Sequence, residues 1–171
     1  YFSSDNAQTI RTQLSRFTKK GLLIQIKRGL YCFDKAKIDE FTLANRLYQP
    51  SYISLESALE FYGMIPDVPQ SVTSINLTTY KKLANDFGRF YYSKIKQKLF
   101  FGYTKVKSAH SDEYILIANP EKSLLDYFYV RRIRKISDLR LNLTNLDISQ
   151  YRTFSQDFPP WVKQINLGIN L

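Results

Sequence analysis

The run TKKGLLIQIKRGLYCF, residues 18–33, holds two short apolar segments on either side of the tripeptide Lys27-Arg28-Gly29. Such segments around a glycine-bearing turn predict a β-hairpin, because Gly29 takes a positive φ at little cost. Upstream, Ala7, Ile10, Leu14 and Phe17 recur at i, i+3, i+7 and i+10, which is one face of a helix. Ser4 or Asp5 is placed to cap its start and Gly21 to end it. At about 100° per residue, Gln8, Thr9, Thr12, Arg16 and Lys19 fall on the opposite face, with Arg11 on the flank.

A helix followed at once by a basic-tipped hairpin is the second half of a winged helix-turn-helix, the fold in which a recognition helix enters the major groove of DNA. On that reading the helix is 8–20. Gln8, Thr9, Thr12 and Arg16 are candidates for base contacts and Lys19, Lys20, Lys27 and Arg28 for phosphates, with Arg11 a further DNA-binding candidate on the flank. The same pattern also fits a solvated basic surface. Only YFSS stands ahead of the helix, so the two helices that open a winged domain are missing from the sequence. The chain begins with Tyr1 rather than Met, which sets the expectation that a segment precedes it.

Composition fits a folded, basic protein. The chain has 171 residues, 44% hydrophobic and 15% aromatic, so it can bury a core and is not disordered as a whole. A net charge of +10 favours polyanionic partners. The charge is densest at the start, where Arg11, Arg16, Lys19, Lys20, Lys27 and Arg28 are opposed only by Asp5. No apolar run approaches the roughly 20 residues that cross a bilayer, and no signal peptide is visible, so a cytoplasmic protein without a membrane partner is expected. A single cysteine, Cys32, and a single histidine, His110, exclude a structural zinc site and an intramolecular disulfide. Cys32 reads as a buried thiol on an apolar strand, and His110 sits in a polar turn. No metal and no cofactor are expected.

Further along, a linking helix is expected over 38–48, with Phe41, Leu43, Ala44 and Leu47 packing and Pro50 stopping it. A helix with Leu55, Ala58, Leu59 and Tyr62 on one face follows, with Ser54 as its cap and Gly63 at its end. SVTSINLTT (71–79), GRFYYSKI (88–95), LFFGYTKVK (99–107) and EYILIA (113–118) have strand length and β-branched or aromatic content. NPEKSLLDYFYVRR (119–132) reads as a helix with Asn119 as cap, Pro120 at the first position, Glu121 at the positive end and Arg131 and Arg132 at the negative end. The tail from 137 reads as helical, with breaks at Pro159-Pro160. The expected class is α+β. It comprises a winged helix-turn-helix lacking its first helices (1–36), a linking helix (37–50), and a mixed α/β C-terminal domain (51–171) with an antiparallel-rich sheet of about four strands and flanking helices.

Catalytic motifs are weak. Asp86-Phe87-Gly88 matches a kinase metal-binding tripeptide, but no glycine-rich loop or catalytic-loop pattern accompanies it, and it reads as a turn. Glu56 and Glu121 sit in first turns of helices, where the dipole accounts for them. Asp126 lies about 140° around the helix from Glu121, so the two do not share a face. A second basic group is Lys94, Lys96 and Lys98 alternating on one strand end, Lys105 and Lys107 on another, and Arg131, Arg132, Arg134 and Lys135. It fits either charged protection of sheet edges or a surface facing nucleic acid or a partner protein. The aromatic runs read as core.

Segments 14–33, 44–66, 72–82, 87–103 and 118–129, among them PSYISLESALEFYGMIP and ANPEKSLLDYFY, together resemble the AbiEi family, the antitoxins of type IV toxin–antitoxin systems. The resemblance implies a bacterial autorepressor in phage defence, whose winged helix binds inverted repeats in its own promoter. It implies a C-terminal domain that counters a nucleotidyltransferase-like toxin without forming a stable complex with it, and no enzymatic activity. The alternatives are an ordinary winged-helix regulator with a ligand-sensing or dimerising C-terminal domain, and an enzyme with a vestigial winged helix.

Overall fold

The computed structural model describes residues 6–35, 38–108, 112–137 and 139–168. His110, Ser4 and Asp5 lie outside these. The chain is α+β. The elements run α1 (Ala7–Lys19), β1 (Ile24–Lys27), β2 (Leu30–Cys32), α2 (Glu40–Leu47), β3 (Ser51–Ile53), α3 (Glu56–Phe61), β4 (Val72–Asn76), β5 (Lys81–Asn85), β6 (Gly88–Lys94), a 3-10 turn (Gln97–Leu99), β7 (Tyr103–Lys107), β8 (Tyr114–Ala118), α4 (Pro120–Arg131), α5 (Ile148–Ser155) and α6 (Pro160–Lys163).

β1 and β2 pair by themselves, and the other six strands form one mixed sheet in the order β5-β6-β4-β3-β8-β7. The sheet is larger than the expected four strands. β3–β8 and β4–β6 are parallel, while β3–β4, β5–β6 and β7–β8 are antiparallel. The two strands missing from the sequence reading had little local signal. β3 is three residues long, and β5 is an edge strand of sequence KKLAN, exposed except at Leu83. Asp86-Phe87 is the two-residue turn between Asn85 and Gly88, as the tripeptide's plain reading had it.

The pleat sorts the core into two layers, because alternate strand residues point to opposite faces. Ile53, Phe90, Tyr92, Ile115 and Ile117 face Leu43, Ala44 and Leu47 of α2, with Ile26 and Leu30 of the hairpin against them. Tyr52, Ile75 and Ala118 face the other way, onto Leu55, Leu59, Leu124, Leu125 and Phe128 and onto Tyr151, Phe158 and Val162 of the tail. With both faces covered, β3 and β4 are buried along their whole length, as the inner strands of such a sheet must be. The tail is helical only from Ile148; the described residues between α4 and α5 form no helix or strand.

The helix starts differ in part from expectation. Asn6 caps α1, its Oδ1 accepting from the Gln8 amide at 3.2 Å. Asp39 caps α2, which is shorter than the expected 38–48. Ser54 does not cap α3: Leu55 stands at that position with φ 58°, and the Thr73 hydroxyl of β4 accepts the Ser57 amide at 3.1 Å instead. Asn119 and Pro120 take their expected places at the start of α4, although the Asn119 side chain makes no capping bond. Cys32 is half-buried rather than buried.

Candidate nucleic-acid interface

Residues 6–33 contain no acidic side chain and six basic ones. α1 buries none of its thirteen residues. Ile10, Leu14 and Phe17 are half-buried, whereas Gln8, Thr9, Arg11, Thr12, Arg16, Lys19 and Lys20 are exposed. The sequence-derived contact face is therefore in solvent along the full helix. The Thr12 hydroxyl donates to the Gln8 carbonyl at 2.9 Å, which leaves its oxygen free to accept. Backbone bonds from Gly21 to Thr18 and from Leu22 to Phe17 close the helix end and turn the chain into the hairpin.

The hairpin is a basic loop with one arm tied down. Ile24 pairs with Cys32 and Lys27 with Leu30, so Arg28-Gly29 is the turn, with Gly29 at φ 82°. Arg28 is exposed at the tip. Lys27 belongs to β1, and its Nζ donates to the carbonyls of Arg46 (3.2 Å) and Leu47 (2.6 Å) at the end of α2. An ammonium at a helix C-terminus meets the negative end of the dipole, so Lys27 fastens the hairpin to the body rather than standing ready for a phosphate. Among the described residues α1 and this hairpin are all that precede α2. The structure thus gives a helix followed at once by a two-stranded antiparallel hairpin.

The residues of the second basic group come from several elements. β6 ends at Lys94, Lys96 precedes the 3-10 turn and Lys98 lies within it, so the three do not line a strand face. Lys94 and Lys96 share a cavity with Arg132, and Lys98 does not line it. Lys105 and Lys107 are exposed on edge strand β7, where Lys105 lies 4.6 Å from the Tyr114 ring centre and Lys107 pairs with Asp112 at 3.3 Å. Arg131 is held by Glu56 through two hydrogen bonds of 2.6 and 2.8 Å, which bind the end of α4 to the start of α3. Arg132 and Arg134 lie over Trp161, 5.9 and 5.6 Å from its ring centre, and Lys135 is exposed.

The acids weighed as catalysts are all engaged in structure. Asp126 is fully buried and accepts from Lys122 Nζ, from Tyr52 OH at 3.0 Å and from Ser54 Oγ at 2.9 Å. Lys122 Nζ also donates to Tyr52 OH at 2.9 Å and lies 5.3–5.4 Å from the ring centres of Tyr52, Phe101 and Phe158. Burial pushes the Asp126 carboxyl up and the Lys122 ammonium down, and their mutual attraction opposes both shifts. Gly102 gives the lysine stem its room: a Cβ there would lie 3.1 Å from Lys122 Cβ and Cγ and from Phe154. Glu121 is buried too, and its Oε1 accepts the amide of Asp147, the residue that caps α5. Sequence reasoning missed Lys122 and Thr73. The one local signal was the i, i+4 spacing of Lys122 and Asp126, which reads equally well as a surface pair.

Among the described residues no group of His, Cys, Asp and Glu side chains could hold a metal ion, and no helix is long and apolar enough to cross a membrane. No protein-family model matches the chain, and no curated protein matches it either.

Proposed function

We propose that the chain is a DNA-binding autorepressor and the antitoxin of a type IV toxin–antitoxin system, acting without catalysis. The observation that carries the DNA-binding part is the acid-free segment 6–33, whose helix exposes Gln8, Thr9, Arg11, Thr12, Arg16, Lys19 and Lys20 together with the Arg28 tip. A duplex carries a phosphate charge about every 1.7 Å of its axis, and a helix edged with cations fits its major groove. The antitoxin part rests on the resemblance of segments 44–66 and 118–129 to AbiEi proteins. On this reading the C-terminal body opposes a nucleotidyltransferase-like toxin without a lasting complex. The partners are the chain's own promoter repeats and, functionally, that toxin.

The test is a salt-dependent shift assay on the chain's own promoter with a scrambled duplex as control. A Thr12→Ala/Arg16→Ala variant should lose about 1–3 kcal/mol per base contact on the promoter and, on the scrambled duplex, only the smaller electrostatic share of Arg16. Equal binding of both duplexes, unchanged in the variant, would reduce 6–33 to a basic surface. Co-expression with the neighbouring toxin gene tests the second half: growth should be rescued by the intact chain and by the same variant.

A second reading, a regulator whose body senses a ligand, is favoured by one feature, the cationic cavity at the end of β6.

A further inference from the structure

The cavity between the end of β6 and the end of α4 has a volume of ≈ 220 Å³. Its walls include Lys94, Lys96 and Arg132 with the phenols of Tyr80 and Tyr129, and no carboxylate lines it. Ile95, between the two lysines, is buried in the core, and Lys94 and Lys96 are both exposed. Arg132 and Tyr129 are braced by one ring: Tyr129 stacks on Trp161 with centroids 6.1 Å apart, and the Arg132 guanidinium lies over the same indole.

Two ordinary explanations for these cations fall short. The negative end of α4 accounts for Arg132 but not for Lys94 and Lys96, which come from another element. Edge protection covers Lys94 at most, because β5 pairs with β6 only as far as Tyr92, and it leaves Lys96, beyond the strand, without an explanation. Arg132 moreover adopts φ 60° at the helix end, where glycine is usual, so the backbone gains nothing from an arginine at this position.

We infer that this cavity binds the phosphate group of a nucleotide or of a nucleic-acid strand. Three cations crowded into one concavity repel one another, and a dianion removes that repulsion. Hydrogen-bond donors arriving from three positions, one of them a planar fork, match a tetrahedral oxyanion better than a planar carboxylate. The volume lies below the roughly 300–1,000 Å³ of sites that enclose a whole small molecule. The phosphate therefore enters and the remainder stays outside, where Tyr80, 71% exposed, offers a ring for a base to stack on.

Trp161 is the sole tryptophan and reports on the site. The full chain is titrated with pyrophosphate, adenosine 5′-monophosphate and a short oligothymidylate, followed by Trp161 fluorescence and by calorimetry. Saturable binding is expected, weakened about tenfold or more in Lys94→Ala/Lys96→Ala and in Arg132→Gly. Glycine suits φ 60°, so the second variant loses the cation without a fold penalty from the backbone. Tighter binding of the mononucleotide assigns the site to free nucleotides, and tighter binding of the oligonucleotide to a strand; either supports the inference. No saturable binding of any of the three, or equal binding by the double-lysine variant, overturns it. Promoter binding through α1 is measured on the same variants and should be unchanged, so failure of this site and failure of the DNA-binding reading are told apart.

Discussion

α1 and α4 are almost equal in length, thirteen and twelve residues, and opposite in what they do with polar side chains. α1 is amphipathic and buries nothing. Its polar face is left to solvent, and nothing in the fold requires Gln8, Thr9, Thr12 or Arg16 to be what they are. α4 buries seven residues, and Glu121, Lys122, Ser123 and Asp126 are among them. Lys122 and Asp126 are paired inside the molecule with each other, Tyr52 and Ser54, and Glu121 accepts the Asp147 amide through Oε1, while its Oε2 has no hydrogen-bond partner among the described residues. Exposed polar residues that the fold does not need are candidates for recognition, whereas buried charged ones are explained by architecture before chemistry. The contrast assigns the PEKSLLD segment to structure and leaves the exposed face of α1 and Arg28 as the candidates for contact.

The sharpest way to break this contrast is to treat the α4 network as a functional surface and remove one partner. Lys122→Met leaves the Asp126 carboxylate buried without its counter-charge and should cost about 3–5 kcal/mol in urea unfolding. Lys122→Met/Asp126→Leu should cost less than the single change, because no charge is then stranded. The single variant should also depend on pH in a defined sense. Burial already raises the Asp126 carboxyl, and loss of the lysine raises it further. A carboxyl raised in the folded state holds its proton there more tightly than in the unfolded chain. Its stabilising contribution is therefore present at low pH and lost as pH rises through the folded value. Lys122→Met should be less damaging near pH 5 than near pH 8, and a pH-independent loss would mean that packing, not charge, is what the lysine supplies. Thr73→Val is the next largest effect. It removes the acceptor for the Ser57 amide and the donor to the Ser54 carbonyl (2.7 Å), and should cost about 1–3 kcal/mol, with hydrogen exchange rising first in α3.

What could be read from sequence divides along the same line. Periodicity and local turn chemistry placed α1, its end at Gly21, the hairpin turn at Lys27-Arg28-Gly29 (one residue too long, since Lys27 belongs to β1), the Asp86-Phe87 turn and the start of α4, because these depend on residues within a few positions of one another. The exposed face of α1 was legible for the same reason. Partners far apart in sequence were not legible. Ser54 reads as a helix cap until Asp126 is found beside it, Arg131 as a free cation until Glu56 is, and Lys27 as a wing-tip residue until the carbonyls of Arg46 and Leu47 are. In each case the local rule was sound and a tertiary bond outcompeted it. The cavity formed by Lys94, Lys96 and Arg132 was visible only as scattered charge, since nothing in the spacing brings β6 to the end of α4.

The hairpin lies on the boundary between the two regions, and its two cations separate them. Lys27→Ala should lower stability by about 1 kcal/mol through lost docking on α2, with the salt dependence of promoter binding unchanged. Arg28→Ala should leave stability within about 0.5 kcal/mol and reduce the slope of log K against log salt by about 1. Exchanged outcomes for the two residues would mean that the hairpin leaves the α2 carbonyls when it binds DNA.

The smallest expected effect lies in the tail, where one buried polar group is not consumed by the fold. The Tyr151 hydroxyl is buried and has no hydrogen-bond partner among the described residues. Burial pushes its ionisation up to about 12, against an ordinary value near 10. The phenol is neutral at physiological pH, so the shift matters only in alkali. Between about pH 10 and 12 the unfolded chain loses this proton first, and stability falls by about 2 kcal/mol as pH rises through that window. Tyr151→Phe removes the hydroxyl and keeps the ring against α4. It should leave neutral-pH stability unchanged or up to about 1 kcal/mol higher, since an unpaired buried hydroxyl is unfavourable. It should also make the alkaline fall shallower by the Tyr151 share, leaving the contributions of Tyr52 and Tyr92, whose phenols burial also pushes up. A variant destabilised at neutral pH by more than about 1 kcal/mol would show that the hydroxyl has a partner after all. The tail would then resemble the Lys122–Asp126 pair of α4, whose buried polar atoms are held by hydrogen bonds.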